Sequence, residues 1–230
     1  MVTTTPKEPT VEAPDAPHYE PDMPMAFGSE LRLNLKALGV DGSAPDFGER
    51  LVQLTRDNEP YDFQFSAQGE LIVMAPSGTL SNRDETVINA DLEMYNRQHP
   101  GICFSQTIGF RLPSGAQLIP DAAWITQERF DNLTERELYG TINGAPDFVV
   151  EVRSRSDRLP PLLAKMAEWM EAGARLGWVL DAIDRRVYVF RPGREMEILE
   201  DPAVLDGEDV LPGFAFQVGR LMFGQEEPSP

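Results

Sequence analysis

The sequence predicts a single domain of mixed α/β character, α+β or α/β, with helices flanking a central mixed sheet. Three observations carry this. Helical and strand-like periodicities follow one another in the order helix, strands, helix, strands, helix, strands. No internal repeat and no glycine-rich phosphate loop interrupts that order. Hydrophobic residues make up 41% of 230 positions, with 12 Phe, 5 Tyr and 3 Trp, enough for one substantial core.

Residues 1–25 hold six prolines and five acidic side chains without a sustained apolar pattern, which predicts a disordered tail. The domain is expected over 26–224, with a flexible end at 225–230. In DFGERLVQLTRDN, Asp46 precedes Glu49 by three positions while Phe47, Leu51 and Leu54 fall at helical spacing, the pattern of a capped short helix. YDFQFSAQGELIVMA alternates Tyr61, Phe63 and Phe65 toward one face and reads as two strands joined around Ala67-Gln68-Gly69. A helix follows from Ser81, with Ser81 and Asp84 as capping candidates, an apolar stripe of Ile88, Leu92 and Tyr95, and a stop at His99-Pro100-Gly101.

ICFSQTIGFRL and QLIPDAAWI read as strands separated by PSGA, and TQERFDNLTERELYG as a polar, partly helical connection. DFVVEV is the most strand-like run in the chain. PPLLAKMAEWMEAGARLG carries two prolines suited to a first helical turn and a stripe of Leu162, Met166, Trp169 and Met170. GWVLDAIDRRVYVFRPG then reads as a hairpin, with EMEILE and FAFQV as short strands behind it.

Charge argues against an ordinary polyanion binder, since 20 Lys and Arg face 38 Asp and Glu for a net of −18. The balance is not uniform. Between Arg153 and Arg194 nine basic residues meet five acidic ones, a local net of +4. The one cysteine, Cys103, excludes an intramolecular disulfide and fits a reducing compartment. MVTTTPKEPT reaches prolines before any apolar stretch develops, and no segment approaches membrane-spanning length, so no membrane partner and a cytoplasmic location are expected.

In PDFVVEVRSRSD, alternation puts Asp147, Val149, Glu151 and Arg153 on one face of a strand and Phe148, Val150 and Val152 on the other. A carboxylate beside Val149 needs a partner, because burying even an uncharged polar group without one costs roughly 2–7 kcal/mol. An arginine at a strand end or a metal ion would each serve, and the strand alone does not decide. Asp121, fixed by Pro120 at the start of another apolar run with small alanines beside it, is a second carboxylate. It reads either as a solvated strand cap or as half of a pair for Mg²⁺, which prefers hard oxygen ligands. Lysines are scarce: Lys7, Lys36 and Lys165. Lys165 lies four residues before Trp169 and so near the apolar stripe, either snorkelling or reaching back toward the sheet. Arg153 suits phosphate contact but not proton transfer, because guanidinium stays charged.

Taken together, GELIVMAPSG, GFRLPSGAQLIPDAAWI, APDFVVEVRSRSD, LAKMAEWMEAGARLGWVLD, VYVFRPG and GEDVLPGF resemble the PD-(D/E)XK restriction-endonuclease-like superfamily, in its Uma-two branch of bacterial restriction endonucleases, over roughly residues 46–220. The resemblance implies a nuclease-like fold and a Mg²⁺- or Mn²⁺-dependent endonuclease acting on DNA. Asp121 and Glu151 would be the metal ligands, and Lys165, displaced from the strand onto the following helix, would complete the catalytic set. Arg153 stands where the ordinary motif has lysine. Gln64 stands where relatives tend to carry glutamate, and Arg155 where they commonly carry proline. Gln64, Arg153, Arg155 and Arg158 are supporting candidates, the arginines for the phosphate backbone. A non-cleaving module of the same fold, binding nucleic acid or protein, is the alternative that Gln64 and the net charge favour. Glycosidic hydrolysis ranks last, since the three tryptophans read as core. Double-strand cutting would suit a homodimer.

Overall fold

The computed structural model of the chain describes residues 30–225. The expected tail over 1–25 and residues 226–230 of the expected flexible end lie outside them. In chain order, β1 (Glu30–Asn34) and a 3-10 turn precede α1 (Phe47–Asp57), the hairpin β2 (Asp62–Phe65) and β3 (Glu70–Met74), and α2 (Thr79–Asn96). Next come β4 (Gly101–Ser105), β5 (Phe110–Arg111), β6 (Gln117–Leu118), β7 (Ala122–Thr126), α3 (Gln127–Asp131), α4 (Glu135–Leu138), β8 (Ile142–Asn143) and β9 (Phe148–Val152). The chain continues through α5 (Leu159–Glu171), β10 (Leu176–Asp181), β11 (Arg186–Phe190), β12 (Glu197–Glu200), β13 (Leu205–Asp206), β14 (Ala215–Phe216) and α6 (Val218–Leu221).

The mixed α/β class expected from the sequence is the one observed. Its strands divide between two six-stranded mixed sheets, ordered β1-β3-β2-β6-β5-β8 and β12-β11-β10-β9-β7-β4, with β13-β14 as a small ribbon. Each large sheet contains one parallel pair, β5 with β8 and β9 with β10. Parallel strands need a crossover, and α5 supplies the one between β9 and β10.

Two runs that read as single strands each change sheet midway. ICFSQTIGFRL leaves the second sheet after β4 and joins the first as β5, while QLIPDAAWI leaves the first after β6 and joins the second as β7. Pro120 stands at the latter crossing, where a residue without an N–H costs no ladder bond. Strand partners lie far away in sequence, so apolar periodicity alone does not reveal the division.

Both faces of the second sheet are covered. Phe148, Val150 and Val152 pack with Ile88 and Leu92 of α2 and with Phe214 and Phe216. Val149, Ala123 and Val179 pack on the other side against Met166 and Trp169 of α5 and against Phe110 and Leu118 of the first sheet. The opposition of faces expected for Phe148–Val152 is therefore observed, with Glu151 on the α5 side. Helix α5 lies close to β10: a Cβ at Gly177 would collide with Met166. In a third cluster, Phe47 and Leu51 of α1 cover Phe63 and Phe65 of β2. Gln64 alternates to the opposite face of that hairpin, across from Ile72.

The two expected caps form differently. Asp46 makes no side-chain cap and accepts instead from Arg50 Nη2 at 3.2 Å, while Glu49 pairs with Arg136 of α4. Helix α2 starts at Thr79 after an extended Gly78, so Ser81 falls inside the first turn and its hydroxyl donates to the Gly78 carbonyl at 3.0 Å. Asp84 is paired with Arg83. At α1 a cation takes the carboxylate, whereas at α2 the earlier start leaves both candidates inside the helix.

Candidate active-site cleft

A cleft of about 820 Å³ separates the outer face of the β2–β3 hairpin from α5 and the end of β9. Gln64, Glu85, Asp121, Glu151, Arg158 and Lys165 all line it. Arg153 and Arg155 are not among the lining residues.

Asp121 sits where the chain crosses between sheets, and three bonds hold it there. Its N–H donates to the Val150 carbonyl at 3.1 Å, its carbonyl accepts from Asn89 Nδ2 at 2.9 Å, and its Oδ2 accepts from the Val152 N–H at 2.6 Å. The strand that carries Glu151 thus also positions Asp121. Burial raises the Asp121 carboxyl above the ordinary aspartate range, opposed by the charge of Lys165 and the Val152 N–H.

Glu151 is 1% exposed and doubly held. Its Oε2 accepts from Lys165 Nζ at 2.8 Å and its Oε1 from Trp169 Nε1 at 2.8 Å. Lys165 and Trp169 are four apart on α5, so one helical face delivers both donors. Burial pushes the Glu151 carboxyl up to about 7; Lys165 pulls it down and the neighbouring Asp121 adds to the rise. Lys165 Nζ also donates to the Ile119 carbonyl at 2.7 Å, and the Ile119 N–H donates to Gln64 Oε1 at 3.2 Å. A single residue at the sheet crossing therefore links Gln64 to Lys165.

Glu85 of α2 also lines the cleft, a position that sequence reasoning missed. It is 5% exposed; Oε1 accepts from Ser77 Oγ at 3.1 Å, and Oε2 is buried with no hydrogen-bond partner. Burial raises its carboxyl to about 7, with the charge of Asp121 as the next cause. Asp157, likewise missed, accepts from the Ser154 N–H at 2.8 Å and is raised by burial. In sequence, Glu85 follows Asp84 in a polar helical stretch where nothing separates the two. Trp169 is core, as its apolar periodicity implies, yet its buried indole N–H also needs an acceptor and finds Glu151.

The arginines of RSRSD part company. Arg153 Nη1 donates to the fully buried Asp181 at 2.7 Å and to Asp184 at 2.8 Å, anchoring the β10–β11 turn to β9. Arg155 is exposed away from the lining, and Arg158 reaches the cleft from the start of α5. Asp147, on the strand's other end, accepts from the Thr126 N–H at 3.1 Å and lies 3.9 Å from Arg129, a structural role.

No group of three or more His, Cys, Asp or Glu side chains among the described residues is arranged to hold a metal ion. The cleft is therefore not an all-protein metal cage. Its donor set does fit an ion that takes one or two carboxylates and fills its shell with water and phosphate oxygens, the habit of Mg²⁺. Asp121 is one such donor, and the orphaned Glu85 Oε2 is a hard oxygen without a competing proton donor.

The fold that carries this cleft, two mixed sheets flanked by helices, has a solved counterpart. The crystal structure of a putative nuclease belonging to DUF820 from Anabaena variabilis ATCC 29413 shares it, with a TM-score of 0.62 at 16% identity over 76% of this chain and 97% of that one. The chain belongs to the Uma2 family, described as putative restriction endonucleases, which matches residues 48–219. This bears out the family resemblance drawn from the sequence motifs. No curated protein matches the chain. No helix among the described residues is long and apolar enough to cross a membrane.

Proposed function

We propose that this chain is a divalent-metal-dependent endonuclease hydrolysing DNA phosphodiester bonds, with Asp121, Glu151 and Lys165 as its catalytic set. The observation that carries the reading is the meeting of Glu151 and Lys165 Nζ at 2.8 Å beside Asp121, in a cleft, within a Uma2 chain. Asp121 and Glu151 would hold Mg²⁺ or Mn²⁺, with Glu85 as a further oxygen donor; each Glu151 oxygen keeps a lone pair beyond the bond it accepts. When bound, such an ion polarises the phosphodiester and acidifies the attacking water. Lys165 keeps Glu151 ionised against burial and orients water, while Arg158 at the rim takes a backbone phosphate. We place the reaction in the cytoplasm, and double-strand cutting would call for two copies of the chain.

A direct test incubates purified protein with plasmid DNA and Mg²⁺ or Mn²⁺. The wild type cuts and Glu151→Ala does not; equal cutting by both removes Glu151 from the site. A second reading, a non-cleaving binding module, draws on the charge of the cleft. Seven carboxylates line it (Glu30, Glu85, Asp121, Glu151, Asp157, Glu168 and Glu171) against three cations, Arg32, Arg158 and Lys165. Calorimetric titration separates the two: absence of Mg²⁺ and Mn²⁺ binding at millimolar concentrations, with DNA or a protein ligand still bound, favours the module.

A further inference from the structure

Gln64 lines the cleft, and its link through Ile119 to Lys165 uses only one end of its amide. It is 6% exposed on the hairpin face turned toward α5. Its Oε1 accepts from the Ile119 N–H at 3.2 Å. That bond settles the orientation of the amide, because an NH₂ group cannot accept from a backbone N–H. The NH₂ is consequently the free end, and among the described residues it donates to no protein acceptor. It is not sealed off either, since Nε2 is absent from the fully buried unpaired atoms, which include Glu85 Oε2 and Arg153 Nε. A neutral two-proton donor thus faces a space otherwise dominated by carboxylates. A donor that solvent reaches but no protein group occupies is free to exchange its water for a ligand oxygen.

We propose that Gln64 is a substrate-positioning residue that donates from Nε2 to a non-bridging oxygen of the bound phosphodiester. This rests on the nuclease reading above. The residue has two ends with separate duties. Oε1 holds Ile119, whose carbonyl holds Lys165; Nε2 meets the substrate. Glutamate at this position would keep the first duty and forfeit the second, turning a donor into an anion facing a phosphate. A neutral amide donates to the phosphate oxygen without adding to the cleft's negative charge.

The test measures binding of a fluorescein-labelled DNA duplex across a salt series, with Ca²⁺ in place of Mg²⁺ to separate binding from cleavage. Gln64→Met should weaken binding about tenfold at every salt concentration. The slope of log K against log[salt] should stay that of wild type, because a neutral donor releases no counterion. If Gln64 served only to hold Ile119 and Lys165, its loss would slow cleavage in Mg²⁺ while leaving duplex affinity in Ca²⁺ that of wild type, because Lys165 is paired with Glu151 and not with a phosphate. Unchanged affinity overturns the assignment. Should Gln64→Met fail to fold, Gln64→Glu at pH 8 carries the test, since it retains the Ile119 acceptor. Binding as tight as wild type overturns the proposal, as does a loss that vanishes at high salt, the mark of charge repulsion alone; a loss of tenfold or more that persists across the salt series supports it. Wild-type protein that binds no DNA in Ca²⁺ overturns the nuclease reading together with this inference, whereas wild-type binding with unaffected variants overturns this inference alone.

Discussion

Lys165 and Glu151, fourteen positions apart, meet at 2.8 Å with the carboxylate at 1% exposure and the lysine side chain at 19%. The pair joins α5 to β9 through the interior, so it differs from the exposed bridges elsewhere on the chain. Removing one partner of a buried pair typically costs about 3–5 kcal/mol, against about 0–1 kcal/mol for an exposed one. Lys165→Met keeps the aliphatic stem and removes the charge. Urea unfolding at pH 8 should show a loss near the lower end of that range, about 3 kcal/mol. At pH 5.5 the loss should shrink, because Glu151 then takes up a proton and no longer needs the cation. A loss below about 1 kcal/mol at both pH values would mark the pair as a solvated surface bridge.

The raised carboxyls of Glu85 and Glu151 set a direction for stability with pH. Both titrate near 7 in the folded chain against about 4.5 ordinarily. Between those values the folded state holds more protons than the unfolded one, so these two groups lower stability as pH rises through that window and restore it as pH falls. Glu85→Gln removes one of the two charges while keeping an acceptor for Ser77. Its thermal midpoint in metal-free buffer should exceed that of wild type at pH 8 and approach it at pH 5. Mg²⁺ should raise the wild-type midpoint more at pH 8 than at pH 5, since protons compete for the same oxygens, and should raise that of Glu85→Gln less. A Mg²⁺ response identical in the two proteins would remove Glu85 from the proposed metal site.

Much of this site was legible in the sequence for identifiable reasons. Asp121 follows a proline at the start of an apolar run, Glu151 interrupts the most strand-like stretch, and Lys165 is one of three lysines in the chain. Each stands out against a bland background. Glu85 does not, because it lies in a polar helical stretch beside Asp84, and only the packing of α2 brings it to Asp121. The two-sheet division was hidden for a related cause. QLIPDAAWI is a short, largely apolar run that reads as one strand, yet Gln117 pairs with Phe65 and Ala122 with Val150, partners that local sequence does not name. The arginines were legible as a group only, since their different fates depend on where β10 turns.

Those fates are separable by experiment. Arg153→Ala strips the fully buried Asp181 of its cation, leaving only the Ile183 and Asp184 N–H groups as donors. It should destabilise by about 3 kcal/mol while leaving the salt slope of DNA binding unchanged. Arg158→Ala, at an exposed rim position, should leave stability within about 0.5 kcal/mol and reduce that slope by about 0.9. Chemical denaturation and a salt titration on the two variants give four numbers, and a reversal of the pattern would exchange the roles.

Trp169 offers a probe of Glu151 that leaves its cation in place. The indole N–H donates to Oε1 at 2.8 Å, and that bond lowers the Glu151 carboxyl against the rise caused by burial. Trp169→Phe retains most of the apolar volume packed in the core cluster with Met166 and Phe110 but deletes the donor. Glu151 then loses stabilisation of its charged form, so its carboxyl must move further above about 7. In the proposed mechanism Glu151 acts ionised, and the acidic limb of the pH–rate profile should therefore shift upward by about one unit for a lost charge-assisted bond. Cleavage rates measured from pH 5.5 to pH 9 on wild type and Trp169→Phe decide the matter. An unshifted limb with a lowered plateau would instead make Trp169 a packing residue alone and place the controlling ionisation on a group other than Glu151.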